Sequence, residues 1–308
     1  MKFLKLLVVI LTIFASSVFV YGYLYEKEII NLIADYYDRN PDVLVNNEYK
    51  KEIEIDFVRL TDNFEPDTYG DLVNIYYTII YSGMDEFTFY CHKDYINCIP
   101  DIVEINNDKD LLSQLNNFVN VFNSFKSIKT TYTTNGKITL SVNKIYSDDD
   151  IMVINNKIDE LESRILKDKE NDYDKVLAIH DYIVNNTKYN IADENKVGTA
   201  SSNAIGVLFN HLATCNGYTD AASILLDRAN IPNVRISNDK HIWNLVYVNG
   251  KWLHLDVTWD DPINKLDMDK QILSHDYFLK TSSEFEEIGL TNPESKHNFS
   301  KGIYNFVS

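Results

Sequence analysis

Basic residues are in short supply: 29 Lys and Arg stand against 46 Asp and Glu, a formal net charge of −17. So acidic a chain offers no surface that could neutralise a phosphate backbone, which excludes nucleic acid as a partner. Glycine is scarce too, 10 in 308 residues, and the chain shows no internal repeat or low-complexity tract. That excludes repeat arrays and suits packed α+β structure. Disorder is excluded by what is plentiful, 45% hydrophobic and 13% aromatic residues including 21 tyrosines. Metal ligands at working spacings are also lacking. Cys91, His92 and Cys98 miss the C-x₂₋₄-C spacing of zinc sites, Asp260-Asp261 and Asp267/Asp269 do not follow a calcium loop, and His211, His275 and His297 have no partner at metal spacing. No metal or other cofactor is expected.

Only one long apolar run is present. Lys2 and Lys5 precede a stretch, Leu6 to Leu24, that is apolar or neutral throughout. Such a run is long enough to span a bilayer. A cleaved signal is the competing reading, with Ala15-Ser16-Ser17 or Val20-Tyr21-Gly22 as small-residue sites; the run continues past the first, which favours the anchor. With the lysines inside, both readings place residues 26–308 outside the membrane, anchored or secreted. No cysteine ends the run, which argues against a lipid anchor. Only three cysteines occur, Cys91, Cys98 and Cys215. In an oxidising compartment the odd thiol is reactive or intermolecular. Cys91 and Cys98 are either bonded or reduced and half-buried; spacing does not decide.

The stretch from His241 to Trp259 alternates, is rich in β-branched and aromatic residues, and is interrupted once by Asn249-Gly250, a strong hairpin signal. A two-residue loop there pairs Val248 with Lys251, Trp243 with Asp256 and His241 with Thr258. One face then carries Ile242, Asn244, Val246, Val248, Leu253, Leu255 and Val257 and is buried. The other, expected to be exposed, carries His241, Trp243, Trp252, His254, Asp256 and Thr258. His241 and Asp256 become diagonal neighbours. A carboxylate so placed fixes the imidazole tautomer and stabilises its protonated form.

Upstream, Tyr218, Ala221, Ala222, Leu225, Leu226 and Ala229 recur at helical spacing, with Thr214 as N-cap and Asn230 before Ile231-Pro232 as the stop. Cys215 falls in the first turn, where free N–H groups and the helix dipole favour thiolate over thiol. The bland reading of such a cysteine is a small buried apolar residue. Its occurrence with the His241/Asp256 hairpin favours a nucleophile.

Cys215-Asn216-Gly217-Tyr218, His241-Ile242-Trp243-Asn244, and Gly250-Lys251-Trp252 through Asp256-Val257-Thr258-Trp259-Asp260 stand in an order that resembles the transglutaminase-like superfamily of papain-type thiol enzymes. The likeness spans roughly 150–300 and includes the helix expected over DYDKVLAIHDYIVNNTKYN. Asn216 departs from the Gln many members carry there. The resemblance implies an α+β fold with a papain-like/transglutaminase-like core, a catalytic helix packed on an antiparallel sheet. It also implies Cys215, His241 and Asp256 as the catalytic set. The Cys215 N–H is then an oxyanion donor, with a second expected between Ser201 and Thr214. Trp243 and Trp259 are expected to wall the acyl site. Thioester-mediated transfer or hydrolysis of protein or peptide amides outside the cell is the implied activity.

Domain organisation is read as a signal or anchor over 1–25, an N-terminal α+β subdomain over 26–147 and a catalytic domain over 148–308. Helices are expected over 26–37, 68–81 and 109–125, a strand over 86–91, and a hairpin of 127–134 with 137–146 across Asn135-Gly136. Ser147 and Asp148–Asp150 open a further helix. His180 reads as a core or boundary histidine, and His254 is the rival base on the hairpin. The alternative function is a non-catalytic surface binding module; a third reading is a tethered structural protein with an intermolecular disulfide. Rapid alkylation of Cys215 separates the enzyme from both.

Overall fold

The computed structural model describes residues 2–26, 28, 44–52, 57–193, 198–263, 271–292 and 297–307. The helix expected over 26–37 (all but residues 26 and 28) and the Asp267/Asp269 pair lie outside them. Helix α1, Lys2–Leu24, contains a 20-residue stretch of mean hydropathy 2.2, long and apolar enough to cross a membrane, and none of it is buried among the described residues.

The N-terminal half builds a helical layer on a small sheet. Helix α2, Tyr69–Tyr81, starts at a capping box in which Thr68 Oγ1 accepts from the Asp71 N–H at 3.2 Å and Asp71 Oδ2 accepts from the Thr68 N–H at 3.0 Å. Strand β1, Glu86–Tyr90, is followed by helix α3, Cys98–Asn107, which the sequence reading did not anticipate. Pro100 looks like a breaker there but sits in the first turn, where a missing N–H costs nothing. A Cys91–Cys98 disulfide, Cα atoms 6.1 Å apart, joins the end of β1 to the start of α3. The helix expected over 109–125 is shorter: α4 covers Lys109–Asn117, and Phe125 already opens strand β2, Phe125–Tyr132. Polar side chains at the end of α4 and in the segment after it are spent on tertiary bonds, Asn117 Nδ2 on Ser237 Oγ (2.7 Å) and Asn123 Nδ2 on Tyr81 O (2.9 Å). Strand β3, Lys137–Lys144, turns back at Gly136 (φ 82°) and is central in the order β1-β3-β2.

Helix α5, Asp148–Ile165, opens on a Ser147 capping box with Asp148, Asp149 and Asp150 in its first turn, acids at the positive end of the dipole. Helix α6, Asp172–Asn186, follows, then a short parallel pair of β4, Lys188–Tyr189, with β5, Leu212–Ala213. Helix α7, Cys215–Arg228, ends as expected: Asn230 is left-handed (φ 58°), and the N–H groups of Asn230 and Ile231 reach Asp227 O (3.0 Å) and Leu226 O (2.9 Å). Strands β6, Asn233–Ser237, β7, Ile242–Val248, and β8, Lys251–Leu255, form an antiparallel sheet. Asn249 and Gly250, both at positive φ (54° and 81°), make its two-residue turn, and Val248 pairs with Lys251 through to Asn244 with Leu255, the expected register. Past β8 the chain returns to pair once more, His254 and Lys280 exchanging bonds of 2.7 and 2.9 Å. Helix α8 is Ser282–Thr291.

The hairpin face expected to be exposed is buried. Val246, Val248, Leu255 and Val257 pack with α5, α6 and α7, while Trp243 and Leu245 join a second core with α2, α4, β3, Phe285 and Tyr304. The sheet is therefore covered on both sides, and burying Leu245 alone contributes about 1.5–3 kcal/mol. Buried polar bonds cross the same junction. Arg235 Nη1 donates to Asp220 Oδ1 (3.1 Å) and Ser124 Oγ (2.7 Å), Tyr146 donates to Asp220 Oδ2 (2.6 Å), and Lys51 reaches Asp227 (3.1 Å) and Asn233 O (3.0 Å).

Candidate functional site

Cys215 is the first residue of α7 and is half-buried. Thr214 occupies the N-cap position, but its side chain makes no capping bond; its N–H and Oγ1 both go to Ser201 O, at 2.8 and 3.3 Å. The N–H groups of the first turn are thus not consumed by the cap, and partial positive charge gathers at the sulfur. Gly217 explains itself here: a Cβ would stand 2.6 Å from Ser201 O and 2.9 Å from Asn203 O. Any other residue would push the 199–206 segment away from the start of α7.

His241 and Asp256 come together just beyond the last paired residues of the hairpin. His241 Nε2 lies 2.6 Å from Asp256 Oδ2, leaving Nδ1 for the Cys215 sulfur, with which the ring interacts. Stacking on Trp243 (centroids 5.7 Å apart, 14° between planes) and edge contacts with Trp259 (6.3 Å) and His297 (5.4 Å) hold the imidazole. Burial works against charge on His241, but the Asp256 carboxylate outweighs it and, with the sulfur, lifts its pKa to about 10. Asp256 is itself buried, which alone would raise its pKa; His241 and the bonds it accepts hold it well below the usual carboxylate range. Its Oδ1 takes the N–H groups of Thr258 (3.1 Å) and Trp259 (3.2 Å).

His297, which has no partner by sequence spacing, supplies the remaining contact. Its Nε2 is 2.6 Å from Asp256 Oδ2, across 41 residues of chain. No local pattern could have signalled it, since no repeat or hairpin links 256 with 297. His254, the rival base, is wholly buried: Trp243 Nε1 donates to its Nδ1 (3.0 Å), so Nε2 carries the proton facing Ser282 Oγ (3.1 Å). Burial, and then the neighbouring His297, push its pKa down to about 3, so it stays neutral. It does not contact Cys215 by any described bond. Trp243, 1% exposed, lies beneath the imidazole, while Trp259 is only partly buried.

The other sequence-flagged residues are accounted for nearby. Tyr218 donates to Asp261, which also accepts from Gln271 Nε2 at 2.6 Å; burial raises the Asp261 pKa to about 6 against these bonds. His180 is buried between Asp181 and Asp260. The imidazole of His241 thus bonds to a buried carboxylate and also interacts with a thiol at a helix N-terminus.

Residues 159–257 match the profile described as the Transglutaminase-like superfamily. No curated protein matches the chain. Among solved structures, one described as a TGase is 18% identical, with a TM-score of 0.33, over 44% of this chain and 45% of that one. A candidate cysteine protease from Cytophaga hutchinsonii is 18% identical, with a TM-score of 0.28, over 43% of this chain and 61% of that one. The match thus spans less than two thirds of either. Residues 159–257, which carry Cys215 at the start of α7 and the His241/Asp256 pair of the β7–β8 hairpin, are similar to the transglutaminase-like superfamily in an α+β setting.

Proposed function

We propose that the protein is a thiol acyltransferase or hydrolase acting on protein or peptide amides outside the membrane. The observation that carries this is the position of His241, bonded to Asp256 on one nitrogen and interacting with Cys215 through the other side of the ring. His241 takes the thiol proton; the thiolate attacks the amide carbonyl, and the Cys215 N–H at the start of α7 stabilises the oxyanion. Collapse of the tetrahedral intermediate breaks the C–N bond, with His241⁺ returning the proton to the departing amine. The thioester passes to an amine, giving a cross-link, or to water, giving deamidation or proteolysis. Trp259 is the aromatic wall of the acyl site, and Trp243 fixes the ring from below. The apolar helix behind Lys2 and Lys5 and the Cys91–Cys98 disulfide support an outward-facing, membrane-anchored or secreted enzyme.

Incubation with a library of peptide amides, acid quench and peptide mass mapping tests the reading. The expected result is an acyl adduct on Cys215 that disappears in Cys215→Ala, with melting temperature unchanged. A Cys215 that takes no adduct and reacts with iodoacetamide no faster than a free cysteine assigns the fold to a binding module instead.

A further inference from the structure

A second set of histidine and carboxylate atoms converges where α6 meets the segment 274–278. His180 Nδ1 is 2.9 Å from Asp181 Oδ1, and His275 Nε2 is 2.8 Å from the same oxygen. The three atoms lie within 4.8 Å of one another. His180 is fully buried, whereas the Asp181 and His275 side chains are 34% and 43% exposed, so the group opens to solvent on one side. The sequence concealed it because His275 arrives from 94 residues away.

We propose that His180, Asp181 and His275 bind a divalent transition metal, zinc foremost, with a water completing the tetrahedron. Two imidazoles and one carboxylate suit zinc; the two nitrogens disfavour calcium and magnesium, which take oxygen ligands. Zinc–ligand bonds of about 2.0–2.1 Å put tetrahedral donors roughly 3.4 Å apart, so the two spacings to Asp181 Oδ1 must widen by about half an ångström. Rotation of the two half-exposed side chains supplies that. The buried nitrogen adds a separate observation. His180 Nε2 is 3.1 Å from Oδ2 of Asp260, which is itself fully buried and whose Oδ1 accepts the Tyr277 N–H at 2.9 Å. A carboxylate holding the far nitrogen of a ligand imidazole fixes its tautomer and orientation toward a metal. The cluster of His241, Asp256 and His297 has the same atom types, but all three are buried and belong to the site already described.

A metal here would fasten α6 to the 274–278 segment. That segment reaches the hairpin, since Tyr277 O accepts the Asp256 N–H at 3.1 Å and the Ser274 N–H donates to Asp260 O at 3.0 Å. The proposal does not depend on acyl transfer and stands or falls separately from adduct formation on Cys215.

The test uses the full chain in detergent, stripped with chelator and titrated with Zn²⁺ by calorimetry and with Co²⁺ by absorption. One equivalent of zinc should bind at micromolar Kd or tighter and raise the melting temperature. Asp260→Asn should weaken binding by ~10–100-fold, and His275→Ala by at least as much. His275→Asn, which can still bond to Asp181, carries the same test should the alanine variant not fold. The cobalt complex should lack a thiolate charge-transfer band, which separates this site from metal on Cys215. Equal zinc affinity in wild type and the His275 variants, no uptake at millimolar zinc, or a thiolate band in the one-equivalent complex overturns the proposal.

Discussion

His297 and His241 share a single oxygen, Oδ2 of Asp256, each with Nε2 at 2.6 Å. Oδ1 is occupied by two backbone N–H groups. The carboxylate is thus held by four donors, and its orientation toward His241 depends on His297 as much as on the backbone just past β8.

Removal of His297 should therefore act through Asp256. His297→Ala is expected to lower the single-turnover acylation rate of Cys215 by about 10-fold and to cost ~1–3 kcal/mol of stability, the range for a buried group losing its partner. His297→Gln, which restores a donor, should recover part of both. Acylation at the wild-type rate in His297→Ala would make the residue a packing contact only.

His254→Ala should damage the fold and spare the chemistry. It leaves Trp243 Nε1 without its acceptor and a cavity between Trp243 and Phe285. A loss of about 2–4 kcal/mol is expected, read from urea unfolding. Alkylation of Cys215 in the folded fraction should run at the wild-type rate. A His254 variant that is stable but inert would transfer the role of base to that ring.

The pH dependence of stability should carry the signature of His241. Its folded pKa, about 10, lies above the ordinary 6.5, so its charge stabilises fully below about pH 6.5 and that contribution is lost as pH rises through about 10. Asp256 works in the opposite sense: its depressed pKa gives stability present above the ordinary carboxylate range and lost on acidification. Unfolding midpoints measured from roughly pH 6 to 11 should fall on the alkaline side, and less steeply in His241→Gln. Parallel curves for the two proteins would remove His241 as the source.

Arg235→Met should be among the most destabilising single changes, about 3–5 kcal/mol, because it leaves Asp220 buried without its cation. Burial already pushes the Asp220 pKa up, with Arg235 opposing. Adding Asp220→Asn should recover part of the loss. If the double variant is no more stable than Arg235→Met in urea, the pair is not coupled.

Much of the site was legible because it is local. Asn249-Gly250 sets the register of β7 and β8, and the apolar spacing from Tyr218 to Ala229 with Asn230 behind it delimits α7, so Cys215 and the His241/Asp256 pair could be placed from short windows. The burial of the hairpin's second face could not be read that way. Alternation distinguishes two faces but not whether a second layer arrives, and here the cover comes from Phe285, Tyr304 and the N-terminal helices. His297 and His275 were opaque for the same reason: each meets its carboxylate across 41 and 94 residues respectively. Helix α3 was not anticipated: it is short, and Pro100 falls in its first turn, where a proline is tolerated.

The double covering of β6–β8 bears on how the protein can be cut. A fragment beginning at residue 148 would keep Cys215, His241 and Asp256 but expose Val234, Ile236 and Leu245, which pack with residues from α2 through β3. It would also strand Arg235 without Ser124 and the carbonyl of Val119. The segment that holds the reactive groups is thus a shared wall between both halves of the chain. Proteolysis or truncation on the N-terminal side should silence the thiol without touching it, and a stable active fragment must include the residues from α2 onward.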